Sequence, residues 1–306
     1  MPEGHTLHRL AYDLSEAFGG RQVRVGSPQG RFAESAAQVD GRVLERAEAW
    51  GKHLFVAFAG DPHLDGLSVH IHLGLYGKLL IARGPAPAPI GQVRLRIIGP
   101  EAYADLRGAT TCQLVTAAER DAVIARLGPD PLRADSDPER AWARISRSKA
   151  PIGGLLMDQS VLAGVGNVYR AELLFRHRID PMRPGSTLRR RQWDAMWADL
   201  VELMHQGVAD NRIDTVRPEH TPEAMGRPPR QDDHGVEVYV YRRTGQPCHV
   251  CGKIVRTAEL QGRNLFWCPG CQRAYRPSAG AAGTAPRTAS SGTARRRTAA
   301  VQSGLQ

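Results

Sequence analysis

An α+β fold is predicted for this chain: an N-terminal helix with a β-sandwich, a helical domain, and a small cysteine-bearing unit. Three observations predict it. An apolar helical period opens the chain and gives way to short alternating runs from about residue 21 to 117. Helical patterns take over near residue 119. Two C-x-x-C pairs follow within the last sixty residues.

Each element has its own signal. Leu7, Leu10, Leu14 and Phe18 recur at helical spacing over 6–18, and Gly19-Gly20 supplies the stop. Between 21 and 117 the runs 22–25, 53–56, 69–71 and 93–97 alternate, with turn residues between them, notably the proline-bearing stretch 84–91. Many short strands so punctuated read as a sandwich or barrel. Helices are predicted over 119–127, 138–147, 152–160, 168–177 and 187–206. The last carries Trp193, Met196, Leu200 and Leu203 along one face. Residues 211–235, rich in proline and charge, read as a loop. From about 278 onward almost nothing is apolar, which predicts disorder. The domains expected are therefore a sandwich domain over 1–118, a helical domain over 119–235, a cysteine unit over 236–276 and a basic tail over 277–306.

Composition narrows the partners. The 306 residues are 42% hydrophobic, enough for packed cores, and the net charge is +10. Such an excess points to a polyanion, nucleic acid before membrane. Only Lys52, Lys78, Lys149 and Lys253 among the 41 basic residues are lysine. Arginine is the default cation here, so each lysine is informative. No stretch reaches the roughly 18 apolar residues of a membrane span, and no secretion signal is visible. With five cysteines in that setting, a reducing, cytoplasmic location is expected, with the nucleoid if the cell is bacterial.

The strongest motif is Cys248-x-x-Cys251 followed after sixteen residues by Cys268-x-x-Cys271. Two such knuckles present four thiolates to one tetrahedral metal, the zinc-ribbon pattern, and four protein ligands close the sphere. One structural zinc ion is expected, supplying folding energy that a unit of this size lacks. Cys112 lies outside the set, in a strand-like run, and reads as a small buried hydrophobe.

Two weaker motifs carry chemistry. Removal of Met1 would leave Pro2 first, with an α-amine whose pKa lies far below that of lysine. A neutral secondary amine attacking a sugar C1′ forms an iminium, a Schiff base that activates neighbouring protons. Glu3 is the adjacent candidate proton donor and acceptor. Further on, Leu155-Leu156-Met157-Asp158-Gln159 and Gly164-Val165-Gly166-Asn167 lead into an amphipathic helix. Glycine turns before a helix let backbone N–H groups approach a phosphate. A plain helical hairpin is the alternative.

Together these pieces resemble the formamidopyrimidine-DNA glycosylase and endonuclease VIII family over roughly residues 1–276. The resemblance rests on Pro2-Glu3-Gly4, Gly51-Lys52, the segment from Leu155 to Phe175, and the ribbon ending in Trp267-Cys268-Pro269-Gly270-Cys271. The start and the end look more like the endonuclease VIII branch, and within it the actinobacterial proteins. The resemblance implies a helix–two-turn–helix in the helical domain and DNA in the cleft beside the sandwich. It implies Pro2 as Schiff-base nucleophile, Glu3 as proton donor, and Lys52 as the acid of β-elimination. It implies Asn167 as a phosphate-gripping residue and Arg263 as the ribbon arginine of δ-elimination. Leu75 and Tyr76 match the loop that fills the gap left by a flipped base, with core packing of Leu75 as the alternative. Gly74 stands where endonuclease VIII has a glutamine. Arg107 is a candidate probe of the orphaned base, while Arg126 and Lys149 are candidate DNA contacts. His70 and His72 read as structural.

The reading is a DNA glycosylase and abasic-site lyase acting on damaged DNA as a monomer, without membrane association. Oxidised pyrimidines are the favoured lesions. The rivals are an 8-oxoguanine-type purine enzyme and a non-catalytic DNA-binding protein on the same scaffold.

Overall fold

The computed structural model describes residues 2–59, 66–231 and 237–276. The chain opens on α1 (Gly4–Phe18), whose Leu7, Leu14 and Phe18 are buried as the period requires. Strands β1 (Arg21–Gln22) and β2 (Arg24–Gly26) come next, then α2 (Ala33–Val39), β3 (Val43–Trp50), β4 (His53–Phe58) and β5 (Ser68–His72). They are followed by β6 (Lys78–Arg83), β7 (Val93–Ile98), β8 (Ala102–Arg107) and β9 (Thr111–Val115). One sheet has the order β1-β3-β4-β5-β9 and the other β2-β7-β8-β6, and every pairing is antiparallel. Their inner faces share one core that includes Leu44, Leu54, Val56, Ile71, Leu95, Ile97, Leu106 and Cys112. Cys112 is thus the small buried residue expected.

Two details of the sandwich depart from the sequence prediction. The run 22–25 is divided between two strands, one in each sheet, with the buried Val23 at the step between them. The region predicted as strands alone also contains α2. Phe32, Ala36 and Val39 give it a buried helical face too short to stand out among strands.

The helical part contains α3 (Ala117–Ile124), α4 (Pro138–Ile145), α5 (Ile152–Leu155), α6 (Asn167–Arg176) and α7 (Arg190–Asp210). Trp193, Met196, Leu200 and Leu203 line the buried face of α7 as predicted. The helix predicted over 152–160 stops at Leu155. Gly153-Gly154 weakens it, and Gln159 instead ties the following turns together. Its amide donates to the Met157 and Val165 carbonyls and accepts from Gly164 N. The predicted loop 211–235 holds a 3₁₀ turn at Pro218–His220 and the short helix α8 (Pro222–Met225). The predicted tail lies outside the described residues.

A hairpin of β10 (Arg256–Leu260) and β11 (Arg263–Trp267) completes the fold. Phe266 of this hairpin and the flanking Cys248, Val255 and Cys268 belong to the same core as Trp193, Tyr169 and Leu174, so the cysteine unit and the helices share one hydrophobic interior. Among the described residues no helix is long and apolar enough to cross a membrane.

Candidate functional site

Three glycines bring three distant segments together. Gly4 N donates to Gly164 O at 2.8 Å, and a Cβ on Gly4 would meet Gly164 Cα at 2.8 Å. Gly51, with φ +58 in the two-residue turn of the β3–β4 hairpin, would bring a Cβ to 2.9 Å from Gly164 N. Only backbone fits between the start of α1, the Gly51-Lys52 turn and the turn before α6. Asp130, 2% exposed, fixes the same turn by accepting from Gly51 N at 2.7 Å and bonding His8 at 2.8 Å.

That junction buries Glu3 completely. Its carboxylate sits at the N-terminus of α6, where it accepts from Gly166 N and Val168 N at 2.8 Å and from Tyr169 N at 3.4 Å. These are helix N–H groups that nothing earlier in α6 satisfies, so the acid caps a helix 163 residues away in sequence. Gly166 is glycine because a Cβ there would lie 2.3 Å from Glu3 Cδ. Burial pushes the Glu3 pKa above 4.5, against the opposing pull of Lys52 and the three N–H bonds. Burial likewise lowers Lys52 from 10.5, with Glu3 opposing and Arg263 and Arg170 reinforcing. The pair therefore consists of an acid that holds its proton more readily and an amine that gives one up more readily.

Pro2 lines a cavity of about 560 Å³ together with His5, Leu75, Tyr76 and Val168. A second cavity of about 670 Å³ is lined by Asn167, Arg263, Asn264, Leu75 and Tyr76. The Leu75-Tyr76 turn thus separates the two. Leu75 is 45% exposed and Tyr76 85%, which rules out core packing for Leu75. Gly74 has φ +68, and a Cβ on it would lie 2.4 Å from Thr110 Cγ2, so a glutamine is excluded there.

Asn167 and Arg263 meet through the backbone of β11. Asn167 Nδ2 donates to Asn264 O at 3.0 Å, and Arg170 Nη2 donates to the same carbonyl at 2.9 Å and to Asn167 Oδ1. Arg263 itself is exposed beside the Gln261-Gly262 turn, whose φ values of +53 and +70 suit a tight two-residue hairpin.

The other candidates stand apart from both cavities. Arg107 ends β8, pairs with Asp105 at 3.0 Å and donates to Ile90 O at 3.0 Å. Arg126 is exposed after α3, where its charge helps lower His53 and His70. Lys149 is exposed between α4 and α5. His70 bonds His53 at 2.9 Å, and His72 bonds Thr110 at 3.1 Å.

Sequence reasoning missed Asp130, Arg170 and Glu172. Glu172 is fully buried and accepts from the N–H groups of Tyr239, Val240 and Tyr241 and from Thr215 Oγ1. Its partners lie 43 to 69 residues away, so no local pattern announces it.

The four cysteines form a metal centre. All their sulfurs lie within 4.8 Å of one another. Cys248 and Cys271 sulfurs are 3.9 Å apart and Cys251 and Cys268 sulfurs 3.4 Å, too far for disulfides. Zinc–sulfur bonds of about 2.3 Å in a tetrahedron place sulfurs about 3.8 Å apart, so the donor set fits zinc. The knuckles are formed by Gly252 N donating to Cys248 O and Gln272 N to Cys268 O, both at 2.9 Å. Gly270 leaves room for the Cys251 sulfur, which a Cβ would approach to 2.7 Å.

Comparison with known proteins agrees with this architecture. Residues 1–112 match the formamidopyrimidine-DNA glycosylase N-terminal domain, 127–217 its H2TH domain, and 245–274 the zinc finger found in FPG and IleRS. Endonuclease 8 1 of Mycobacterium tuberculosis is 55% identical over 276 residues, covering 89% of this chain and 100% of that protein. Endonuclease 8 of Salmonella paratyphi A is 28% identical over 282 residues, with the same coverage. Lactococcus lactis Fpg, solved in complex with an abasic site containing DNA, shares the fold, with a TM-score of 0.70 at 18% identity over 89% of this chain and 100% of that one. The chain belongs to the formamidopyrimidine-DNA glycosylase and endonuclease 8 family, the DNA glycosylase/lyases of base excision repair.

Proposed function

We propose that this chain excises oxidised bases, pyrimidines in preference, through a Schiff base on Pro2 followed by β- and δ-elimination. The observation that carries the reading is the placement of Pro2 on a cavity wall directly after Met1 and directly before Glu3, an acid locked at the head of α6. Once Met1 is removed, the neutral Pro2 amine attacks C1′ of a flipped nucleotide, and the base departs with the glycosidic electron pair. Glu3, its pKa raised by burial, supplies the proton that opens the sugar and leaves the iminium. Lys52 carries the proton transfers of elimination, a task for which arginine holds its proton too tightly. Asn167 and Arg263 grip backbone phosphates along the second cavity, and Leu75 with Tyr76 fills the space of the absent base.

The ribbon holds one structural zinc per chain in this reading, and the protein works on damaged DNA as a monomer. Preference for pyrimidines rests on the likeness to proteins named endonuclease 8. Borohydride should trap the protein covalently on DNA bearing an abasic site, and an N-terminal tag that blocks Pro2 should abolish trapping. Full lyase activity in the tagged protein would overturn the assignment. Faster release of 8-oxoguanine opposite cytosine than of thymine glycol or dihydrouracil would move the chain to the purine branch and leave the catalytic roles standing.

A further inference from the structure

Arg170 is a buried cation that the mechanism above does not use. It is 1% exposed, and among the described residues no carboxylate pairs with it. Its compensation comes from oxygens that carry no full charge. Nη1 donates to Gly153 O at 3.3 Å, and Nη2 donates to Asn264 O at 2.9 Å and to Asn167 Oδ1. Nε has no partner at all. A buried guanidinium held in this way is expensive, and an apolar side chain would fill the same space at less cost. The arginine is therefore better explained by what its donors do than by packing.

What they do is decide which way an amide faces. Asn167 opens α6 and Arg170 follows three residues later, so the two side chains share one face of the helix. Asn167 Nδ2 donates to Asn264 O at 3.0 Å, which leaves one N–H of that amide without a partner, on a residue that lines the second cavity. A half-turn of the amide would exchange Oδ1 and Nδ2. Because a guanidinium only donates, the turned amide would set donor against donor at Arg170 and oxygen against oxygen at Asn264. Burial brings the Arg170 pKa down to about 10, with Glu3 opposing, so the group is still a charged donor at neutral pH. The β10–β11 ladder pairs Glu259 with Asn264 and Leu260 with Arg263 and so holds that strand by itself. The particular contribution of Arg170 is the orientation of Asn167.

We infer that Arg170 is a positioning residue: by holding Oδ1 of Asn167, it makes the amide present an N–H, and not an oxygen, to a DNA phosphate in the second cavity. The inference rests on the reading of Asn167 as a phosphate-gripping residue.

A double-mutant cycle tests it. Affinity for a duplex with an uncleavable abasic analogue is measured at several salt concentrations for the full-length protein, Arg170→Met, Asn167→Ala and the double variant. Methionine fills much of the volume and donates nothing. Asn167→Ala should weaken binding by about tenfold, the loss of one hydrogen bond to a charged group. Arg170→Met should cost about as much by itself, yet less than about threefold when Asn167 is already alanine. Its slope of log affinity against log salt should match that of the unaltered protein, because so buried a side chain reaches no phosphate. Additive losses overturn the inference, since they show a packing role independent of the amide. A slope reduced by about 1 overturns it too, because Arg170 would then meet a phosphate itself. If Arg170→Met loses its zinc or its cooperative melting, Arg170→Gln goes through the same cycle, and failure of both to fold overturns the inference. Normal binding by Asn167→Ala would instead remove the reading of Asn167 itself.

Discussion

Replacing Glu3 with glutamine perturbs one carboxylate that serves as both helix cap and proposed acid, and the geometry predicts two separate losses. Oε2 accepts from Gly166 N and Tyr169 N, while Oε1 accepts from Val168 N. A glutamine carbonyl can keep one side of this set, but its NH₂ must then face an N–H donor in a site with no exposure. At least two buried donors, that backbone N–H and the NH₂ facing it, are left unpaired, each at a cost of about 1–3 kcal/mol. In a protein of this size that lowers Tm by a few degrees, measurable by calorimetry. The chemical loss is larger, because removing a general acid costs about 10²–10⁴ in rate. Single-turnover release of thymine glycol should fall accordingly, while affinity for a duplex with an uncleavable abasic analogue stays close to that of the unaltered protein. Normal excision by Glu3→Gln would refute Glu3 as the acid. An unchanged or raised Tm would refute the buried cap.

Three further outcomes follow from the structure. Purified protein should contain one zinc per chain by metal analysis, and Cys268→Ser should lose the metal and DNA binding while the separate sandwich core stays folded; metal-free protein that binds DNA normally would contradict this. Arg263→Ala should weaken binding to all duplexes and reduce the slope of log affinity against log salt by roughly 1, whereas neutral Asn167→Ala should weaken binding with little change of slope. A lesion-specific loss in either variant would argue against phosphate contact. The last outcome concerns pH. Burial, with His72 and Arg126, pushes His70 down to about 4, below the 6.5 of the unfolded chain. The unfolded state therefore takes the proton first, so stability is full above about pH 6.5 and is lost as pH falls toward 4. At pH 5 the loss is about 2 kcal/mol. His70→Gln should narrow the Tm difference between pH 8 and pH 5, and an undiminished difference would show that His70 is not its source.

The sequence by itself determined the parts that obey local rules. The α1 period, the buried face of α7 and the paired C-x-x-C knuckles are written in spacings of three, four and sixteen residues, and the structure reproduces them. It also marked Gly51, Gly164 and Gly166 as glycines near candidate motifs, without saying why they are glycine. Only the tertiary structure decided that Gly4, Gly51 and Gly164 pack backbone to backbone, and that Glu3 caps a helix 163 residues away. The structure alone also decided that Leu75 stands exposed between two cavities and is not part of the core. The same holds for Asp130, Arg170 and Glu172, whose hydrogen bonds reach backbone 17 to 94 residues away. The physical reason is range. Helical and strand periods are set by neighbours along the chain, whereas a buried charge is satisfied by whichever backbone groups folding brings to it, and no local spacing encodes which those are.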